Sequence, residues 1–147
     1  LRWPDITERS TSWFSPFVTF TLLLIVVGAV SLSKTSWAHK TLAIFDSLFF
    51  LLIGILGVLM VTLWVIRVDT VCRNNLNVLW ALPTHMVVAF LLNRKIKWVR
   101  TYFQIVFWIS LILGFTWFFL PQQINNAVAP LILLIIIRSY HHSKKIT

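Results

Sequence analysis

Acidic residues, cysteine and glycine are all scarce in this chain. Of its 147 residues, four are Asp or Glu, one is Cys and four are Gly. A lone cysteine, Cys72, excludes an internal disulfide and any cluster of cysteine metal ligands. No carboxylate pair, nucleophile–base pair or glycine-rich phosphate loop stands out either. We therefore expect no catalytic residue, no cofactor site and no metal site within these residues.

Apolar residues are abundant instead. They make up 59% of the chain, whereas charged residues make up 12%, against roughly 25% in soluble domains. A hydrocarbon core of about 30 Å requires about 20 apolar residues in a helix. The first, second and fourth apolar blocks meet this length, and the third and fifth would have to tilt, thin the bilayer or re-enter it. The five blocks lie at about 14–32, 42–66, 78–92, 102–120 and 127–137. The pattern predicts an all-α, polytopic membrane bundle of about five spans.

Basic residues sort to alternate gaps between the blocks, and short basic loops remain in the cytoplasm. Three regions are clearly basic, namely 33–41, 93–101 and the C-terminal tail. The remaining gaps are nearly balanced or uncharged. Five crossings, with the N-terminus outside and the C-terminus in the cytoplasm, place every basic gap on the cytoplasmic side and every other gap outside. This predicts an extracytoplasmic lead-in (1–12), a transmembrane domain (13–138) and a basic cytoplasmic tail (139–147).

The net charge of +9 does not indicate nucleic-acid binding, because the basic residues flank apolar spans. Such residues set topology and contact anionic lipids, so membrane lipids are the expected partners. Tryptophans near the span ends predict an interfacial aromatic belt. They are Trp13, Trp37, Trp64, Trp80, Trp98 and Trp117. The three-residue spacing of Gly54 and Gly57 favours close packing within the chain.

Few polar residues lie inside the blocks. Asp46 and His85 are about one and two turns from the cytoplasmic ends of their spans, so they could pair across the bundle. Alternatively, Asp46 reaches the interface and His85 bonds a backbone carbonyl. We place His39, His141 and His142 at the cytoplasmic boundary. With only His85 at depth, neither haem ligation nor a proton pathway is expected.

The densest polar stretch, 67–85, connects the second and third blocks. Asn75 or Asn77 suits the N-cap of a helix that starts near Val78. We expect Trp80 to anchor that helix at the outer interface and Pro83 to loosen it before His85. A turn and a cap use only some of these polar groups, so the rest predict a docking surface for another domain. Its candidate residues are Asp69, Asn75, Asn77, Trp80 and Pro83.

The segment from Phe45 to His85 resembles the C-terminal membrane region of a family of Bacteroidota inner-membrane proteins associated with lipoprotein N-acylation. The resemblance covers about a quarter of the chain. Its features are Phe45-Asp46, Gly54 and Gly57, Leu63-Trp64, Asp69, Asn75, Asn77 and the run Leu79-Trp80-Ala81-Leu82-Pro83. Thr70 stands where the family's pattern has a histidine. The resemblance implies a multi-pass protein of the bacterial inner membrane with a papain-like or amidase-like periplasmic domain upstream.

Two functions follow as alternatives. Residues 1–12 do not form a signal peptide, so an outside N-terminus favours a chain that is the membrane part of a larger protein. It would then anchor and dock a periplasm-facing envelope enzyme whose catalytic residues lie upstream, and the resemblance implies that this enzyme is an acyltransferase. The alternative is a non-enzymatic transmembrane subunit of a secretion or respiratory complex.

Overall fold

The computed structural model describes residues 15–66, 76–94, 96–119 and 124–144, except for the side chain of Phe118. Within these ranges the chain forms five α-helices and no β-strand, which confirms the all-α prediction. The helices are α1 (Pro16–Leu32), α2 (Ser36–Ile66), α3 (Thr84–Ala89), α4 (Lys97–Thr116) and α5 (Ala129–Lys144). Short 3-10 turns lie at Leu76–Leu79, Trp117–Phe119 and Asn126–Val128.

Two of the helices in these ranges, α2 and α4, are long and apolar enough to cross a bilayer unaided. At about 1.5 Å per residue, the 31 residues of α2 extend for about 46 Å. This helix begins six residues before the predicted block 42–66, so its first turns carry His39 and Lys40 beyond the apolar stretch. The 17 residues of α1 and 16 of α5 give shorter helices.

Small polar side chains define the start of the first two helices. Ser15 is the N-cap of α1, where its hydroxyl accepts a hydrogen bond from the Val18 amide at 3.3 Å. Pro16 follows at the first helical position, where the missing N–H removes no helical bond. Before α2, the Thr35 hydroxyl accepts from the Ala38 amide at 3.4 Å. These caps satisfy amides that a helix leaves free at its N-terminus.

The third block is broken rather than helical throughout. A 3-10 turn at Leu76–Leu79 is followed by an irregular stretch, and α3 begins only at Thr84. The prediction of one helix starting near Val78 is therefore wrong. The cause is Pro83, which has no N–H and disfavours helical geometry at the preceding residue. Local bonds satisfy the backbone at the break, since the Ala81 amide donates to the Asn77 carbonyl at 3.1 Å and the His85 amide to the Leu82 carbonyl at 3.0 Å.

Two glycines of α2 receive this broken segment. A Cβ atom on Gly57 would overlap the Ala81 carbonyl, and one on Gly54 would overlap the backbone of Met86. Irregular backbone is tolerated at membrane depth only where protein covers it. Close approach to α2 supplies that cover, and Ala81 is fully buried. The predicted role of Gly54 and Gly57 in packing within the chain is confirmed.

The packed interior lies between α2, the broken segment, α4 and α5. Phe50, Phe103, Leu134 and Ile135 are completely buried there. The outer faces of the helices carry many large apolar side chains instead, including Ile25, Leu52, Trp108 and Phe115. Such a surface is unfavourable in water and matches a hydrocarbon environment.

Candidate functional site

A charged cluster inside the bundle is centred on Asp46. Its carboxylate accepts two hydrogen bonds from the guanidinium of Arg138, at 2.6 Å from Nε to Oδ1 and 2.5 Å from Nη2 to Oδ2. Both residues are only 1% exposed. This is the bidentate geometry in which an Arg–carboxylate pair is strongest. It joins α2 to α5 across 92 positions of sequence.

Two further side chains complete this cluster, which we call the Asp46 cluster (Ser31, Asp46, Arg138 and His142). The Nε2 atom of His142 lies 2.7 Å from Asp46 Oδ2, where its N–H donates to the carboxylate. Nη1 of Arg138 donates to the Ser31 hydroxyl at 2.9 Å, and that hydroxyl donates to the Val27 carbonyl at 2.6 Å. The Asp46 cluster thus connects α1, α2 and α5.

The physical reason for this arrangement is desolvation. A single buried charge is very unfavourable, and a buried ion pair is tolerated only when its remaining donors and acceptors are also satisfied. The carboxylate here accepts three bonds, two from Arg138 and one from His142. The charges of Asp46 and Arg138 cancel each other, so this ion pair joins α2 to α5 without adding a net charge to the bundle.

A second cluster contains Thr84, His85 and Tyr102. The Tyr102 hydroxyl lies 2.6 Å from Nδ1 of His85 and 2.9 Å from the Thr84 hydroxyl. One consistent chain of donors has Thr84 donating to Tyr102 and Tyr102 donating to His85. Nε2 of His85 is buried with no partner in ordinary hydrogen-bond geometry among the residues described, although the Trp80 backbone contacts the ring more loosely. This second cluster holds α3 against α4.

Aromatic rings separate the two clusters. Phe50 of α2 packs against the His85 ring at 5.2 Å between centroids, and Phe103 of α4 packs against the His142 ring at 5.0 Å. The two phenylalanines meet each other edge to face at 5.0 Å. The Phe50–Phe103 pair therefore packs against the imidazoles of both clusters.

The predicted bond between Asp46 and His85 does not form. Asp46 is bonded to Arg138 and His142 instead, and His85 is bonded to Tyr102. Asp46 does not reach the interface, being 1% exposed, whereas the backbone of Trp80 does contact the His85 ring, as the alternative for His85 expected. His142, which we placed at the cytoplasmic boundary, is 7% exposed, so its side chain is buried within the bundle. The error came from ending the last span at residue 137, because α5 continues to Lys144. Arg138 and His142 are four residues apart, which places them on one helix face.

The predicted docking residues have internal roles where the structure describes them. Trp80 is 5% exposed and its indole N–H donates to Asn77 Oδ1 at 3.0 Å, so it is not an interfacial anchor. The backbone nitrogen of Pro83 lies against Gly57. Asp69 and Asn75 lie outside the described residues. Of the other predicted belt residues, Trp37, Trp64 and Trp98 are exposed as expected.

The polar side chains of both clusters bond to one another and join the helices that carry them. Within the described ranges, no group of three or more His, Cys, Asp and Glu side chains could hold a metal ion. The carboxylate is occupied by its internal partners, and the hydroxyl of Tyr102 is shared between two neighbours.

The fold and its buried clusters define a helical membrane domain. The profile of one protein family, described as the Lnb transmembrane domain and counting five transmembrane helices, matches residues 8–147. The chain belongs to this family, which also confirms the predicted five-span bundle. Neither the curated proteins nor the solved structures give a significant match.

Proposed function

We propose that this membrane domain anchors and positions an enzymatic domain that faces the periplasm and N-acylates lipoproteins in the bacterial inner membrane. The observation that carries the proposal is membership of the Lnb transmembrane family over nearly the whole chain. The resemblance of 45–85 to membrane regions associated with lipoprotein N-acylation supports the same function. The catalytic residues would then lie outside the present chain.

The internal contacts support an anchoring role. The Asp46 cluster binds three helices together, and the glycines of α2 fix the broken segment against the bundle. Both features make the domain rigid rather than reactive. A rigid membrane support would hold a tethered active site at a constant distance from acyl chains and lipidated substrates, which raises the effective concentration of both.

Docking would be carried by the connection between α2 and the broken segment. Asn77 and Trp80 bond to each other, so the docking proposal rests mainly on Asp69 and Asn75. Their side chains belong to the polar stretch whose hydrogen-bonding capacity exceeds a single turn and cap. This stretch begins after Ile66, at the end of α2 that is farther from Asp46, and it would face the periplasm.

The test compares three variants in the full-length gene, expressed in a strain without a paralogue. Asp69→Ala and Asn75→Ala should reduce lipoprotein acylation while leaving the amount of protein in the membrane unchanged. Asn77→Ala is the matched control, because loss of its bond to Trp80 should lower stability and abundance instead. Acylation is read from the mass of a reporter lipoprotein.

Two results would contradict the proposal. Normal acylation in both Asp69→Ala and Asn75→Ala would remove the docking surface. Normal acylation after deletion of the whole gene would remove the acyltransferase assignment and favour the accessory-subunit alternative. An intact mass showing no polypeptide before Leu1 in the native protein would also favour that alternative.

A further inference from the structure

Three basic side chains lie where α4 and α5 meet, at the end of the bundle that carries His142. Lys97 and Arg100 occupy the first turn of α4, and Lys144 is the last residue of α5. All three side chains are exposed. The structure brings them together, because Arg100 Nε donates to the Ser143 carbonyl at 2.9 Å, next to Lys144.

These cations have no carboxylate partner among the residues described. The chain has four acidic residues, and Asp46 is the one that falls within the described ranges. Asp46 is fully occupied by Arg138 and His142. The bond from Arg100 to Ser143 uses only Nε, and a guanidinium carries four further N–H groups. The counter-charge for this surface must therefore come from outside the described chain.

The shape next to the cations is a groove with a polar mouth and an apolar continuation. A hollow of about 300 Å³ is lined by Lys97, Arg100, Thr101 and Gln104. Thr101 and Gln104 also line a second hollow of about 520 Å³, which extends along Ile105 and Trp108 to Tyr140 of α5. The two hollows therefore adjoin, with the cations at one end and apolar side chains at the other.

The walls of this groove suit an aliphatic chain. Trp108 and Tyr140 flank Phe107, at ring-centroid distances of 5.3 Å and 5.6 Å. Ile105, Trp108 and Tyr140 are each about half exposed. The ammonium of Lys144 lies 5.2 Å from the centre of the Tyr140 ring, which itself lines the second hollow.

We propose that this groove binds one anionic phospholipid. Its phosphate and headgroup contact Lys97, Arg100 and Lys144, with Thr101 and Gln104 as hydrogen-bonding partners, and one acyl chain lies along Ile105, Trp108 and Tyr140. Charge complementarity selects an anionic headgroup over a zwitterionic one, and basic pockets between membrane helices bind such headgroups in this way. The site does not depend on the proposed acyl transfer.

The experiment uses full-length protein purified in detergent and titrated with phosphatidylglycerol or phosphatidylcholine, with bound lipid counted by native mass spectrometry. The unchanged protein should bind one phosphatidylglycerol at least about tenfold more tightly than phosphatidylcholine. Each basic residue near an anionic headgroup contributes about fivefold in affinity. The double variant Lys97→Gln/Lys144→Gln should therefore weaken phosphatidylglycerol binding by about 25-fold.

Two further variants separate a defined site from general attraction. Lys34→Gln/Lys40→Gln removes the same charge from other exposed lysines around the α1–α2 connection and should change the affinity less than about twofold. Gln104→Trp keeps every charge but fills the groove, and it should weaken phosphatidylglycerol binding as strongly as the loss of Lys97 and Lys144. Inorganic phosphate at the same concentration should not compete.

Three outcomes would overturn the proposal. Equal binding of both lipids would show that the charge does not select the headgroup. An equal loss in Lys34→Gln/Lys40→Gln would show diffuse attraction instead of a site. Competition by inorganic phosphate would show a simple anion site without recognition of a lipid.

Discussion

The two ends of this bundle are built on different principles. At one end, the Asp46 cluster and the cations of α4 and α5 carry charge, and internal bonds neutralise only part of it. At the other end, the broken segment is held by close backbone contact with Gly57 and by the Asn77–Trp80 bond between uncharged side chains. Electrostatic pairing therefore holds one end together, and steric fit with neutral hydrogen bonds holds the other.

The difference predicts that the two ends fail in different ways. Removing one member of a buried ion pair leaves the other charge stranded in a poorly polarisable interior. Adding a methyl group where two backbones touch forces the segments apart. The destabilisation caused by removing one charge of the pair is reduced when the second charge is removed as well. The destabilisation caused by an added methyl group has no equivalent second substitution.

The largest expected effect is at the charged end. Asp46→Leu or Arg138→Met alone should lower the free energy of unfolding by about 3–5 kcal/mol, because each strands its partner. The double variant should lose less than the sum of the two, by up to about 3 kcal/mol. Unfolding in mixed micelles measures all three. Arg94→Met, which removes an exposed cation, is the control and should stay within about 0.5 kcal/mol. Additive losses would show that the pair does not form.

The next effect is at the neutral end. Gly57→Ala places a methyl group against the Ala81 carbonyl, so it should cost about 1–3 kcal/mol or more. Gly28→Ala is the matched control in α1, where nothing lies within 4 Å of the new atom. That substitution should be neutral or slightly stabilising. The free energy of unfolding in mixed micelles is measured for both variants. Equal values for the two would argue against the close approach of the broken segment to α2.

The smallest effect concerns the second cluster. Tyr102→Phe removes the hydroxyl between Thr84 and His85, which should cost about 1–2 kcal/mol because His85 Nδ1 loses its partner. Tyr140→Phe, at a side chain that is 49% exposed, should cost less than about 0.5 kcal/mol. A loss of several kcal/mol in Tyr102→Phe would indicate a charged role for this hydroxyl.

The sequence was sufficient for the helical class, the number of spans and the glycine contact. Long apolar runs and the scarcity of intramembrane charge leave few other folds. The partners of the buried polar side chains were harder to predict. A span that is predicted from apolar residues stops at the first charged residue, even where the helix continues. Arg138 follows the last apolar block, 127–137, so it was not considered as a partner for Asp46, although its side chain is buried. The positions of Asp46 and His85 within their spans did not identify the helix opposite each, which is α5 for Asp46 and α4 for His85.

The broken third segment shows a second limit of such reasoning. Its composition is that of a span, and Pro83 indicated only a loosening of the helix. Pro83 breaks the helix, and the broken backbone then packs against Gly54 and Gly57, a contact that joins residues far apart in sequence. Trp80 similarly has the residue type of an interfacial anchor, but the Asn77 side chain gives its indole N–H a buried partner.

We propose that the charged end faces the cytoplasm and the neutral end faces the periplasm, where an enzymatic domain would sit. Single cysteines in a Cys72→Ser background test it most directly, at Arg94→Cys for the charged end and Asn126→Cys for the neutral end. An impermeant thiol reagent applied to cells with a permeabilised outer membrane and an intact inner membrane should label position 126 and not position 94. Labelling of position 94 without labelling of position 126 would contradict the account.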